Sequence, residues 1–265
     1  MKNSNKTPYT NNPPLPVTEP KNIAVIFAGG HGHRFSKKGI PKQFYELNGK
    51  PIIIYTLEHF DRHHKIDGIV IACLENWIPE LERLLKKFRI SKVAGVVRGG
   101  VNAWFSILNA LHYTAKHFCG NSIVLIHDGV RPLIDAKTID RNIEAVKKYG
   151  SCITCTHAIE TYANKKSRSE LAIPERNNLL IVRAPQSFFL NEILTVYEKA
   201  RSEGHEKFVD CCSMMNHYGV NLHTITGPSE NIKITHPMDF FVFKAIEETR
   251  KDNGSLTFDL CHDTL

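Results

Sequence analysis

Gly29, Gly30 and Gly32 fall within one short stretch, FAGGHGHRF, and Arg34 follows them at once. Residues without a side chain let the backbone turn tightly and bring N–H groups within reach of phosphate oxygens, and a guanidinium beside them adds a charge-assisted fork. Pro41-Lys42-Gln43 then sets a second cation just after a rigid turn, where it can return to the same phosphates. Together these residues read as a polyphosphate cradle, although a glycine cluster is also compatible with a plain strand-to-helix turn. Two common phosphate loops are excluded. The dinucleotide fingerprint needs a glycine where Phe35 stands, and the P-loop needs Gly-Lys-Ser/Thr, which the chain lacks.

A second group of candidates follows the apolar run SIVLIH. Asp128 ends that strand and Arg131 comes three residues later, at the carboxyl edge where open α/β sheets bind ligands. The bland alternative is a strand-terminal turn closed by Asp128 and Pro132. Cys152 and Cys155 form a C-x-x-C, but SCITCTHAI reads as a strand, where positions three apart face opposite sides. Neither a zinc site nor a redox pair is favoured, and seven cysteines fit reduced thiols better than a disulfide framework. The formal charge of +7 is spread along the chain, as with Glu82-Arg83 and Lys86-Lys87 on one helix face, so a nucleic-acid partner is not expected. No run approaches the roughly 18–20 apolar residues of a membrane span, and residues 1–21 lack the apolar region of a signal peptide. The expectation is a soluble, cytoplasmic protein that engages no membrane.

These residues need a scaffold, and the apolar pattern supplies one. Short β-rich runs alternate with amphipathic stretches, which predicts an α/β fold: a Rossmann-like, mostly parallel sheet with helices on both faces. Strands are expected at Asn22–Ala28, Gly68–Leu74, Lys92–Val97 and Ser122–His127. Helices are expected at Pro51–Arg62, with Pro51 as first helical residue, and at Asn76–Phe88. Asn102 should cap a third helix and Asp135 a fourth that ends before Gly150. Then the rhythm changes. Strand-like residues at Ile153–Tyr162 and Leu179–Arg183 flank a polar turn, predicting a projecting antiparallel β-arm at about residues 154–183. Helices at Leu190–Glu203, Asp210–His217 and Pro237–Thr249 and a strand at Asn221–Thr226 complete the reading. Residues 22–250 are expected to form one domain, with residues 1–21 a flexible lead-in and residues 251–265 an uncommitted tail.

Gly29-Gly30-x-Gly32-x-Arg34 followed by Pro41-Lys42-Gln43-Phe44 resembles the opening of the IspD/TarI family of cytidylyltransferases. The likeness recurs in order at Gly99-Gly100 with Ser106, at HDGVRP (127–132), at Glu175-Arg176-Asn177, at Pro185-Gln186-Ser187-Phe188 and at Asn231-Ile232-Lys233-Ile234-Thr235. The resemblance implies CTP bound with Mg²⁺, and in-line attack by a polyol phosphate on the α-phosphorus with release of pyrophosphate. The nucleophile is then already an anion, so the work is positioning and charge neutralisation. Carried over by position, Arg34, Lys42 and Lys233 would be catalytic. Ala28, Gly29, Gly30, Gly32, Gly100, Ser106 and Gly129 would hold the nucleotide, with Gly100 and Ser106 at positions that read the cytosine. Asp128, Arg131, Thr161 and Arg176 would meet the polyol phosphate, with Asp128 also near a metal carried mainly by the CTP phosphates. The resemblance further implies a homodimer in which the arm delivers Arg176 to the neighbouring subunit.

Two departures stand out. Val101-Asn102-Ala103 replaces the Asp and Arg usual after the glycine pair, and Val209 stands where a hydroxyl is expected to meet a substrate phosphate. Ribitol 5-phosphate is the favoured acceptor; methylerythritol phosphate, a sugar-1-phosphate nucleotidyltransferase and a catalytically silent relative remain as alternatives. A nicotinamide dehydrogenase is disfavoured by the glycine spacing.

Overall fold

The computed structural model describes residues 19–30, 39–167 and 170–252. Its first strand, β1 (Asn22–Ala28), has the expected bounds, and Lys21, the last residue of the expected lead-in, already donates its backbone N–H to Ser122 Oγ at 3.0 Å and accepts from the Ile123 N–H at 2.8 Å. A two-strand ribbon, β2 (Glu46–Leu47) and β3 (Lys50–Pro51), leads into α1 (Ile52–Asp61). Pro51 therefore caps that helix from outside rather than starting it. Next come β4 (Gly68–Cys73), α2 (Ile78–Lys87), β5 (Val93–Arg98), α3 (Ala103–His117), β6 (Ile123–Asp128) and α4 (Ala136–Tyr149).

The expected caps are present. Asn102 accepts from the Phe105 N–H and Asp135 from the Thr138 N–H, while Gly150 closes α4 at φ 84°, a conformation that residues with a Cβ rarely adopt. After it run β7 (Ser151–His157), the short pair β8 (Asn164–Lys165) and β9 (Leu171–Ala172), β10 (Leu180–Phe189), α5 (Leu190–Ser202), α6 (Cys211–His217), β11 (Thr224–Thr226) and α7 (Pro237–Asp252).

The main sheet has seven strands in the order β11-β7-β10-β6-β1-β4-β5, and β10 alone runs against its neighbours. Central strands β4 and β6 are buried at every residue because helices cover both faces, which is why they read as continuous apolar runs. On one face Ile26, Ile71 and Leu125 pack with Leu57, Leu84 and Ile143; on the other Val25, Val70 and Ile126 pack with Leu111, Tyr197 and Met214. Cys152 belongs to the first layer and Cys155 to the second, and burial pushes their thiols up to about 12 and about 11. The C-x-x-C is thus a strand with one thiol on each face.

The arm differs from the expectation in extent. β7 stops at His157 instead of Tyr162, and β10 continues past Arg183 to Phe189 inside the sheet. A register break between Val182 and Gln186 accommodates Pro185, which has no N–H for the ladder. A third apolar cluster joins Tyr55, Val130, Leu133, Ile234 and Phe243, so α7 braces the turn after β6 against the segment that carries Lys233.

Candidate active site

Parallel register brings the ends of four strands into one row. Ala28 lies beside Cys73 and Cys73 beside Arg98, while Phe27 lies beside Asp128. Gly29, Gly99 and Gly129, each the residue after its strand, therefore share the carboxyl edge of the sheet. This is where open α/β sheets place ligands.

On the β1–β5 side the backbone is drawn tight. A Cβ on Gly29 would lie 2.5 Å from Ser106 Oγ, and one on Gly100 would lie 2.2 Å from Phe105 Cβ. The fully buried Ser106 hydroxyl accepts from the Gly100 N–H at 3.0 Å and donates to the Asn102 carbonyl at 2.8 Å. Ser106 therefore shapes the loop that Gly99 and Gly100 form. Gln43, also buried, donates from Nε2 to the carbonyls of Ala28 (2.6 Å) and Gly30 (3.2 Å). That pair of bonds ties the glycine turn to the short 3-10 helix Lys42–Phe44 and holds half-buried Lys42 next to it. Gly32 and Arg34 lie outside the described residues.

On the β6 side the edge is charged. Arg131 Nε meets Asp128 Oδ2 at 2.8 Å, and Lys233 Nζ meets Asp128 Oδ1 at 2.6 Å. Burial alone would raise the Asp128 carboxyl, but the two cations override it and hold the group well below the usual carboxylate range. Asp128 is thus an anion that spaces two cations. Lys233 Nζ lies 5.7 Å from the Phe27 ring centroid, so the ammonium stands over the end of β1, beside the glycine turn. Its side chain is 43% exposed, which leaves it available to an anion from solution.

Arg131 is more confined, and Nη1 donates to the Asn231 carbonyl at 3.0 Å. Asn231 in turn donates from Nδ2 to the Ala184 carbonyl at 3.1 Å, linking the Lys233 segment to β10. Ile234 N–H donates to the Val130 carbonyl, so buried Asn231 and Ile234 anchor Lys233 from both sides.

The turn itself is fixed by the backbone. Gly129 donates to the Phe27 carbonyl at 3.0 Å and accepts from Thr56 Oγ1 at 3.1 Å, so both its backbone groups are engaged in shaping the turn. His127 is fully buried, and burial lowers its pKa to about 4. Neutral at physiological pH, it donates from Nε2 to the Arg131 carbonyl at 3.1 Å.

The structure thus gathers Ala28, Gly29, Gly30, Lys42, Gly100, Ser106, Asp128, Gly129, Arg131 and Lys233 along one edge. It does not bring Thr161 and Arg176 there. Both are exposed on the arm, and among the described residues no ion pair involves Arg176. Sequence reasoning gave no role to Gln43, His127 or Asn231, although each lies inside a quoted motif; their work appears only as hydrogen bonds between distant segments.

Residues 22–249 match the family model described as IspD, 2-C-methyl-D-erythritol 4-phosphate cytidylyltransferase. The chain is 47% identical over 232 residues to a ribitol-5-phosphate cytidylyltransferase of Vibrio parahaemolyticus, covering 87% of this chain and 98% of that one. It is 41% identical over 232 residues to a protein of the same name from Streptococcus agalactiae serotype V, covering 87% and 97%. A crystal structure of 4-diphosphocytidyl-2C-methyl-D-erythritol synthase from Anaerococcus prevotii superposes with a TM-score of 0.76 at 23% identity, covering 86% of this chain and 96% of that one, and supports the fold. With the matched segment spanning the whole sheet and its charged edge, the chain belongs to the IspD family of cytidylyltransferases.

Proposed function

We propose that the protein transfers the cytidylyl group of CTP to ribitol 5-phosphate, giving CDP-ribitol and pyrophosphate. The observation that carries this reading is the meeting of Lys233 and Arg131 on Asp128, directly beside the glycine turn of β1. The 47% and 41% identical relatives named for ribitol 5-phosphate favour that acceptor over methylerythritol phosphate.

In the reaction, an oxygen of the acceptor's phosphate attacks the α-phosphorus of CTP, the bond from that phosphorus to the bridging oxygen breaks, and pyrophosphate leaves with the electron pair. The acceptor is already ionised at neutral pH, so the side chains need remove no proton. Lys42 and Lys233, joined by Arg34, hold the triphosphate and neutralise charge that builds up on its oxygens. Gly29, Gly30, Gly32 and the Gly100–Ser106 loop grip the nucleotide through the backbone. Arg131 faces the acceptor's phosphate, and Asp128 keeps Arg131 and Lys233 apart at fixed positions.

Both Asp128 oxygens already face cations, and among the described residues no group of three His, Cys, Asp or Glu side chains could hold a metal ion. Mg²⁺ would then enter on the triphosphate oxygens, and Asp128 is the carboxylate at this edge that would serve it. When bound, Mg²⁺ neutralises triphosphate charge and helps the pyrophosphate depart.

The arm supports a homodimer. Ile159, Leu171 and Ile173 expose 79%, 62% and 59% of their surface there, an apolar set that a second copy would cover, placing Thr161 and Arg176 near the partner's acceptor. Among the described residues no helix is long and apolar enough to cross a membrane.

The test is pyrophosphate release by the purified protein with CTP, Mg²⁺ and a panel of ribitol 5-phosphate, methylerythritol phosphate, glycerol 3-phosphate and hexose 1-phosphates. Release with ribitol 5-phosphate is expected. Turnover confined to methylerythritol phosphate would reassign the acceptor, and turnover with hexose phosphates alone would overturn the reading.

A further inference from the structure

Arg183 stands at the register break of β10, one residue before Ala184, whose carbonyl Asn231 holds while also holding Arg131. The break turns the strand out of its ladder, and such irregularities re-aim side chains. Arg183 is half-buried and its best polar contact is a long one, Nε to Thr156 Oγ1 at 3.4 Å. Among the described residues no carboxylate pairs with it. Its strong neighbour is instead another cation. Burial and the nearby Arg131 guanidinium both lower its pKa, against a smaller opposing influence from Tyr162. A half-buried guanidinium with no anion of its own is costly unless a ligand supplies one.

The position fits one part of the substrate. β6, β10 and β7 lie on the opposite side of β1 from the Gly99–Ser106 loop, and Tyr162 opens the arm next to Thr161. Gln186 Nε2 donates both to the Arg183 carbonyl at 3.3 Å and to Asp210 Oδ2 at 3.1 Å, which ties Arg183 to the loop carrying Val209. That loop offers no hydroxyl at Val209, which is 91% exposed.

We propose that Arg183 binds the phosphate of the acceptor together with Arg131, and so makes the enzyme selective for a phosphorylated polyol. This assignment rests on the cytidylyl-transfer reading for the acceptor's identity. Arg183 touches the acceptor and not the nucleotide, so its removal separates the two substrates.

Arg183→Met keeps the length and removes the charge. Steady-state kinetics should show the KM for ribitol 5-phosphate rising about 10–100-fold, the loss of one charge-assisted fork, with the KM for CTP within about twofold. The melting temperature should be unchanged or higher, because an uncompensated cation has been removed. Arg183→Lys should recover part of the affinity.

Calorimetric titration without CTP, using ribitol 5-phosphate, inorganic phosphate and unphosphorylated ribitol, reads the same site without turnover. Both phosphates should bind the wild-type protein more tightly than Arg183→Met, and ribitol should not distinguish the two. If the wild-type protein binds these phosphates in an Arg183-dependent way but releases no pyrophosphate, the transfer reading fails and the anion site stands. If turnover is normal and acceptor KM is unchanged in Arg183→Met, the proposal is overturned and the transfer reading stands. A shift from dimer to monomer with unchanged KM, or loss of fold in both variants, would make Arg183 a structural residue and also overturn it.

Discussion

On the β1–β5 side of the sheet edge, Gly29, Gly99 and Gly100 crowd backbone against backbone, whereas on the β6–β10 side Asp128, Arg131 and Lys233 fill the same edge with charge. One half works by leaving side chains out. There, N–H groups and carbonyls are held by Gln43 and Ser106, and selectivity depends on space. The other half works by balance: a buried carboxylate fixes two cations that a bound anion can then share. A cytidylyl transfer needs both, since the nucleotide must be placed while charge at one phosphorus is neutralised. The contrast implies that the two halves should fail differently.

The largest effect is expected from the charged half. Lys233→Ala should lower kcat about 100–1,000-fold, with the far-UV spectrum and melting temperature nearly unchanged because the ammonium is partly exposed. A near-normal kcat would remove Lys233 from the reaction. Asp128→Asn should follow with a different signature. It leaves Arg131, 8% exposed, beside Lys233 without their shared anion, so chemical denaturation should show a stability loss of roughly 3 kcal/mol. An unchanged unfolding midpoint would show that Asp128 does not organise the pair.

The smallest effects sharpen the other half. Gly29→Ala puts a methyl 2.5 Å from Ser106 Oγ, while a methyl on Gly30 meets nothing within 4 Å. The first should raise the KM for CTP about tenfold and the second should change it less than about twofold. Equal effects from the two substitutions would mean that the tight approach of Gly29 to α3 is not what shapes the nucleotide loop.

Legibility in the sequence followed the same division. The central strands were readable because parallel strands covered on both faces must be apolar throughout, and the Asn102, Asp135 and Gly150 caps were readable because their chemistry is local. The glycine turn was readable for that reason too. β10 was not, since Arg183-Ala184-Pro185 looks like the end of an exposed arm; only the register break shows that the strand resumes at Gln186 within the sheet. The end of β7 was overestimated because Ile159 and Tyr162 look like strand residues, yet both are exposed on the arm.

Residue types and short spacings alone determined where the backbone can bend and which stretches must be buried, since these depend on sterics and hydrophobicity within a few residues, while the resemblance singled out which cations to follow. Which charges meet was decided by the tertiary structure. Arg131 reaches the Asn231 carbonyl across one hundred residues, Lys233 closes on Asp128, and Asn231 joins the Arg131 turn to β10 at the Ala184 carbonyl. Coulomb energy depends on separation and burial in space, and neither quantity is written in the order of the chain.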